Sequence, residues 1–142
     1  MKKIGYILLQ IGGYLILLGG ITDFAMTFYS NSLPAPHLKY LNIKDEAASL
    51  ELKNLDYAFL RAIGGCLMGI GIGTLTIIYN SLREKIKWSL IGILGMVTVG
   101  EGINALQIFT LGSQYFVFPL LCIIITWIGA ALWLIGDKRE RK

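Results

Sequence analysis

Four long apolar stretches, separated by polar segments, make up most of the chain. Each is about as long as the roughly 20-residue apolar helix that crosses a lipid bilayer. They predict membrane helices over residues 4–28, 57–79, 88–110 and 115–136. Residues 29–56 form the long polar connection, in which the segment that contains Pro34 and Pro36 cannot continue a helix. The pattern therefore predicts one all-α domain over residues 1–142, an integral membrane antiparallel four-helix bundle.

The polar segments carry predictions of their own. Residues 1–3 place two lysines before the first apolar stretch, as a secretory signal peptide does, but that stretch is longer than a signal peptide needs and no small-residue cleavage site follows it. We therefore expect a retained first helix. Residues 45–54 combine helix-forming residues with early acids and predict a short surface helix. Residues 137–142 are charged, and we expect them to be disordered or to lie on the lipid headgroups.

Glycines recur along one face of each of the first two predicted helices, every seven residues in the first and every four in the second. They are Gly5, Gly12 and Gly19, and then Gly65, Gly69 and Gly73. Glycine at such spacing lets two helix backbones approach closely in a membrane. The pattern predicts close packing through these faces, either within one bundle or between copies of the chain.

Composition and charge agree with a membrane protein of several spans. Hydrophobic residues make up 55% of the chain, charged residues only 15%, and the mean hydropathy is +0.64. The net charge of +4 is concentrated near the ends of the apolar stretches, so it does not indicate nucleic-acid binding.

The lysines and arginines are unequally divided between the two predicted sides of the membrane. One side has nine of them and the other three: Lys2, Lys3, Arg83, Lys85, Lys87, Lys138, Arg139, Arg141 and Lys142 against Lys39, Lys44 and Lys53. Loops rich in lysine and arginine stay in the cytoplasm. We expect a multi-pass protein of the cytoplasmic (inner) membrane with both termini inside and residues 29–56 outside.

Three charged residues lie within the apolar stretches: Asp23, Arg61 and Glu101. At 1.5 Å per residue, the first two are about 6–8 Å below the outer ends of their helices and Glu101 is about 13 Å below. Their side chains are long enough to meet in the outer half of the bundle. Together they carry an excess of one negative charge, which leaves one carboxylate to take up a proton or a cationic group.

Further polar residues extend this cluster. Thr98, Glu101 and Asn104 follow one another at a spacing of three residues and form a polar stripe on the third helix. Asp56 lies at the outer lip of the second helix. In one interpretation Arg61 pairs with a carboxylate and fixes the helix register. In the other, which the excess carboxylate favours, the group lines an outward-opening binding pocket.

Other chemistry finds little support in the sequence. Cys66 and Cys122 are not arranged as a CxxC motif, and both are expected to pack as small apolar residues. His37 is the only histidine, so we expect no metal site and no cofactor. No nucleophile and base stand in a recognisable arrangement, which favours a protein that is not an enzyme.

Two segments resemble a known family. The run RAIGGCLMGIG at residues 61–71, with the basic residues 83–87 after it, resembles the second helix of DoxX-like small membrane proteins. Residues 11–20, IGGYLILLGG, followed by Asp23, resemble their first helix. The two charges are reversed relative to the family pattern, in which the first helix ends near a base and the second opens with an acid. The resemblance implies ligand binding or assistance to another membrane protein.

The function that we expect is the binding of a small amphiphile or lipid in an outward-facing polar pocket, as a non-catalytic and possible accessory protein. Glu101 would hold a proton or a cationic head, Arg61 would neutralise Asp23 or an anionic group, and Asn104 would orient the ligand. The partners would be the lipid bilayer, such a ligand, and a second copy or a larger membrane protein, but not nucleic acid.

Three alternatives stay open. The first is a proton- or cation-coupled transporter that uses Glu101. The second is a subunit or assembly factor of a larger membrane complex. The third is an intramembrane isomerase in which Glu101 and Asp23 act as acid and base.

Overall fold

The computed structural model describes residues 1–82, 84 and 86–140, so Arg83, Lys85, Arg141 and Lys142 lie outside the described residues. The regular structure of the described part is entirely helical. The helices are α1 (Lys2–Tyr29), α2 (Ala35–Leu41), α3 (Leu50–Ile77), α4 (Ser89–Thr110) and α5 (Val117–Glu140). Single helical turns precede α3 and α5, and a wider turn over Ile78–Leu82 continues α3.

Four segments of the described chain are long and apolar enough to cross a membrane. They are Lys2–Tyr29, Leu50–Leu82, Ser89–Thr110 and Gln114–Glu140. Many of their large apolar side chains, such as Ile91, Val99 and Ile124, are exposed on the outside of the protein. A bilayer would cover such a surface, and the four helices therefore indicate a multi-pass membrane protein.

α3 and α5 extend furthest beyond the ends that the apolar pattern predicted. α3 begins at Leu50 because Ser49 caps it, accepting a hydrogen bond from the backbone N–H of Leu52 at 3.2 Å. No glycine or proline interrupts the chain between the cap and residue 57. The helical character predicted for residues 45–54 is found in a single turn, Asp45–Ala47, and in the first turn of α3, but the prediction of one separate surface helix is wrong.

The charged C-terminal segment is likewise ordered as far as Glu140, where α5 ends. Asp137 is only 1% exposed, and its carboxylate oxygens lie 2.9 Å from Lys2 Nζ and 3.1 Å from Lys87 Nζ. Lys2 also contacts Glu140 at 2.7 Å. These ion pairs fasten the start of α1 to the end of α5, so the predicted disorder of residues 137–140 is wrong. Residues 141–142 lie outside the described residues.

α1 packs against α3 and α5, and α4 packs against α5 and, less extensively, against α3. Glycines make the closest approaches. A Cβ on Gly20 or on Gly64 would come within 3.0 Å of backbone atoms of the facing helix, and the same is true of Gly5 against α5. The backbones of α1 and α3 therefore meet at Gly20 and Gly64.

The predicted glycine ladder of α3 does not take part in this packing. At Gly65 and Gly69, no facing atom of the described chain lies within 4 Å of the point that a Cβ would occupy, and Gly73 meets only the side chain of Met96 at 3.9 Å. The packed glycines of α3 are Gly64 and Gly71, which lie on the neighbouring face.

Candidate functional site

A cavity of about 600 Å³ opens between α1, α3, α4, the start of α5 and the segment before and within α2. We call it the first cavity. Its walls are mainly apolar and come from several elements: Met26, Phe59, Leu60, Ile63, Ile108, Leu111 and Phe118. The polar side chains Asp23, Asn104 and Gln107 also line it. Pockets that take small molecules have this character, apolar walls with a few polar groups that fix orientation.

A second cavity of about 510 Å³ lies beside the first, between α2, α3 and α4. Four residues line both cavities and form the wall between them: His37, Phe59, Gln107 and Leu111. Asp56 and the apolar side chains of Leu52 and Leu55 line the second cavity as well.

The short helix α2 contributes residues to the lining of both cavities. It begins at Ala35, directly after Pro34, and has Pro36 in its first turn, where the missing N–H of a proline breaks no helical hydrogen bond. It ends at Asn42, which is in the left-handed conformation with a φ of 52°. The imidazole Nδ1 of His37 lies within hydrogen-bond distance of Asp56 Oδ1 on α3. This contact holds α2 against the N-terminal part of α3.

The connection after α2 is held by the Asp45 carboxylate. Asp45 Oδ2 accepts a hydrogen bond from Lys53 Nζ at 2.8 Å, and Oδ1 accepts one from the backbone N–H of Leu33 at 2.9 Å. The Lys53 ammonium, together with that backbone hydrogen bond, holds the pKa of the Asp45 carboxyl below its ordinary value.

Most of the predicted site residues lie in or beside the cavities. Asp23 and Asn104 line the first cavity, and Asp56 lines the second. Glu101 lies behind Asn104 and is 3% exposed, and its Oε2 accepts a hydrogen bond from Asn104 Nδ2 at 3.3 Å.

Two predicted residues have other partners. Thr98 Oγ1 accepts a hydrogen bond from the indole N–H of Trp127 at 3.0 Å, which ties α4 to α5. Arg61 Nε donates to Thr27 Oγ1 at 2.9 Å, and its guanidinium lies 4.7 Å from the centre of the Phe28 ring. In the described part of the chain no ion pair joins Arg61 to Asp23 or Glu101, so the structure does not contain the pairing that the sequence suggested as one interpretation.

The orientation of Arg61 follows from its position on α3. Phe59 and Ile63 line the first cavity, and each is two residues from Arg61. Two residues correspond to about 200° of turn in an α-helix. Arg61 therefore emerges on the side of α3 that faces away from the first cavity.

Two residues of the site were not among those predicted from the sequence. Gln107 continues the stripe of Glu101 and Asn104 at the same three-residue spacing, a signal that the sequence did contain. His37 was predicted only not to bind a metal, whereas here it faces Asp56. Because the two residues are 19 positions apart, their contact depends on the way α2 folds back over α3. Among the described residues, no group of three or more metal-binding side chains is placed to hold an ion.

Comparisons of the chain with family models, with curated proteins and with solved structures found no match. The resemblance of α1 and α3 to DoxX-like helices therefore stays a prediction.

Proposed function

We propose that this protein binds a small amphiphile or lipid in the first cavity and catalyses no reaction. The observation that carries the proposal is the first cavity itself, about 600 Å³ with apolar walls and with Asp23 and Asn104 among its lining residues. Such a volume is in the range of small-molecule pockets, about 300–1,000 Å³. The alkyl part of a ligand would contact the apolar walls, and its head would contact the carboxylate and the amide.

The roles of the polar residues differ from one another in this proposal. Asp23 contacts the ligand head directly, and Asn104 orients it while holding Glu101 by a hydrogen bond. Glu101 acts through Asn104 and adds negative charge behind the cavity. Asp56 keeps α2 in place over the ligand through His37. Arg61 and Thr98 stabilise the helix packing around the pocket.

The proposal includes an arrangement in the membrane. We propose an antiparallel four-helix bundle in the inner membrane, with both termini in the cytoplasm and with residues 29–56 and the first cavity facing outward. The excess of lysine and arginine at the end that holds both termini supports this orientation. Of those residues Arg83, Lys85, Arg141 and Lys142 lie outside the described residues. Fluorescence of a green fluorescent protein fused to the C-terminus tests the orientation, because this reporter becomes fluorescent in the cytoplasm.

Ion-coupled transport through Glu101 is less well supported. Between Glu101 and the N-terminal end of α4, the same face of the helix carries Leu90, Ile93 and Val97. Each is at most 3% exposed and none can carry a proton or an ion. A polar path from Glu101 to that end of α4 is therefore absent along this face.

The proposed binding is tested with two matched tryptophan variants of α4. Ile108 lines the first cavity, whereas Ile103 is 55% exposed and lines neither cavity. Wild type, Ile108→Trp and Ile103→Trp are purified in mild detergent after incubation with a lipid extract, and the retained molecules are identified by mass spectrometry. We expect a molecule retained by wild type and Ile103→Trp and lost from Ile108→Trp. Equal retention by all three proteins would contradict the proposal, as would retention by none. A stoichiometric protein that copurifies in place of a lipid would favour the role of an assembly factor.

A further inference from the structure

The charged groups around the two cavities are predominantly acidic. Asp23 of α1 lines the first cavity, Asp56 of α3 lines the second, and Glu101 of α4 lies behind the first. His37 of α2 is the one ionisable nitrogen that lines either cavity in the described part of the chain, and it contacts Asp56. Even with the imidazole protonated, carboxylates outnumber cations by three to one.

Arg61 does not correct this imbalance. Its guanidinium is held by Thr27 and Phe28 on the side of α3 that faces away from the first cavity. The Thr27 hydroxyl that accepts the hydrogen bond from Arg61 also donates one to the backbone carbonyl of Phe24 at 2.8 Å. The Thr27 hydroxyl therefore gives its proton to the backbone of α1 and presents a lone pair to Arg61.

The carboxylates of Asp56 and Glu101 accept fewer hydrogen bonds from the described residues than their oxygen atoms could. Asp56 Oδ2 is buried and has no hydrogen-bond partner among the described residues. Glu101, with 3% exposure, accepts one hydrogen bond from a described side chain, the 3.3 Å contact with Asn104 Nδ2. A carboxylate in apolar surroundings is costly unless a proton, a donor or an opposite charge satisfies it. A positively charged group of the ligand would supply the opposite charge.

We propose that the ligand is a single-chain amphiphile with a cationic, ammonium-type head. The ammonium group would contact Asp23 in the first cavity, with Glu101 behind Asn104 adding to the attraction. The alkyl chain would lie along Phe59, Ile63 and Ile108. This inference rests on the proposed function and specifies the charge of the ligand's head group.

The test compares three probes that share one alkyl chain and differ in head-group charge: dodecylammonium, dodecanol and laurate. Binding to the protein in phosphatidylcholine nanodiscs is measured by isothermal titration calorimetry, with the signal of empty nanodiscs subtracted. We expect dodecylammonium to bind at least about tenfold more tightly than either of the other probes, the range in which a charged hydrogen-bond partner contributes. Because this comparison is made on wild type, it does not depend on the folding of any variant.

Two variants assign the preference to a residue. Asp23→Asn is expected to reduce the preference for dodecylammonium by about tenfold. Glu51→Gln removes a charge from the same protein at an exposed position outside both cavities and is expected to leave the preference unchanged. If Asp23→Asn does not fold, Asp23→Glu, which keeps the charge, is expected to retain the preference.

The outcomes separate this inference from the proposed function. If all three probes bind equally and Ile108→Trp abolishes their binding, the cavity is a binding site but its ligand is not selected by positive charge. If laurate binds most tightly, the inference is likewise wrong. If no probe binds to wild type above the nanodisc background, the proposed function fails together with the inference.

Discussion

The side chain of Arg61 is directed to Thr27 on α1, with 2.9 Å between Arg61 Nε and Thr27 Oγ1. Together with the Phe28 ring, this contact holds the arginine on a different side of α3 from the first cavity, which Asp23 lines. Among the described residues, Arg61 forms no ion pair with Asp23 or Glu101. Acidic character near the first cavity is therefore a consequence of how α1 and α3 pack against each other.

Replacing Thr27 by valine keeps the shape of the side chain and removes the acceptor for Arg61. We expect Thr27→Val to lower the free energy of unfolding by about 1 kcal/mol, the net contribution of a typical hydrogen bond. The control is Thr22→Val on the same helix, since the exposed Thr22 hydroxyl donates to the backbone carbonyl of Leu18 and does not contact Arg61. Thermal unfolding in detergent measures both variants. Equal stability of the two would mean that the Thr27–Arg61 contact contributes nothing.

Adjacent glycines of α3 are expected to respond in opposite ways to alanine. A Cβ on Gly64 would lie within 3.0 Å of the Gly20 carbonyl oxygen and the Phe24 backbone nitrogen, so Gly64→Ala should destabilise the protein by about 1–3 kcal/mol. Gly65 has open space around the same position. Gly65→Ala should stabilise α3 by up to about 1 kcal/mol through helix propensity. Thermal unfolding of both variants and of wild type measures the two effects. Destabilisation by Gly65→Ala would indicate that this face packs against another molecule.

The buried carboxylate at the end of α5 is expected to matter more than its exposed neighbour. Asp137→Asn removes the negative charge that Lys2 and Lys87 contact, and should lower the free energy of unfolding by about 1–3 kcal/mol. Glu140 is 56% exposed and contacts the same lysine, so Glu140→Gln should cost at most about 1 kcal/mol. The ranking of the two midpoints of thermal unfolding is the test, and the reverse order would contradict the described packing of α5.

Protonation of Asp45 in acid should lower the stability of the folded protein. Its pKa is lower in the folded protein than the ordinary value of 3.8, so its contribution is complete above that value and is lost as the pH falls through the folded pKa. Wild type should therefore be more stable than Asp45→Asn near neutral pH, and the difference should shrink as the pH falls below about 4. Thermal unfolding of both proteins across this range measures the effect. A difference that does not change with pH would contradict this role of Asp45.

The sequence was sufficient to predict the helical class and the four apolar spans, because a long apolar run has few alternatives to a membrane helix. It could not locate the start of α3, since the residues that follow Ser49 are polar yet favourable to a helix. Nor could it predict that residues 137–140 are helical and well packed. Their packing depends on Lys2, which is 135 positions away from Asp137 in the chain.

The candidate site was predictable in depth but not in rotation. Counting residues from the helix ends predicted that Asp23, Arg61 and Glu101 could meet in one half of the bundle, with Asp56 at the lip of the second helix. In the structure Asp23 and Asp56 each line a cavity, Glu101 lies behind Asn104, and Arg61 lines neither cavity. Rotation about the helix axis is weakly specified when apolar residues surround a helix on all sides. For the same reason the sequence could not distinguish Gly64 from Gly65, or show that Arg61 faces away from the first cavity.

The central claim, that the first cavity holds an alkyl chain, is tested most directly on the wild-type protein. An alkylammonium probe with a photoactivatable diazirine in its chain is incubated with the protein in phosphatidylcholine nanodiscs and irradiated, and the labelled residues are identified by mass spectrometry. We predict labelling of Phe59, Ile63 and Ile108, and competition for it by unmodified dodecylammonium. Labelling confined to outward-facing residues such as Ile91 and Val99, with no competition, would contradict the claim.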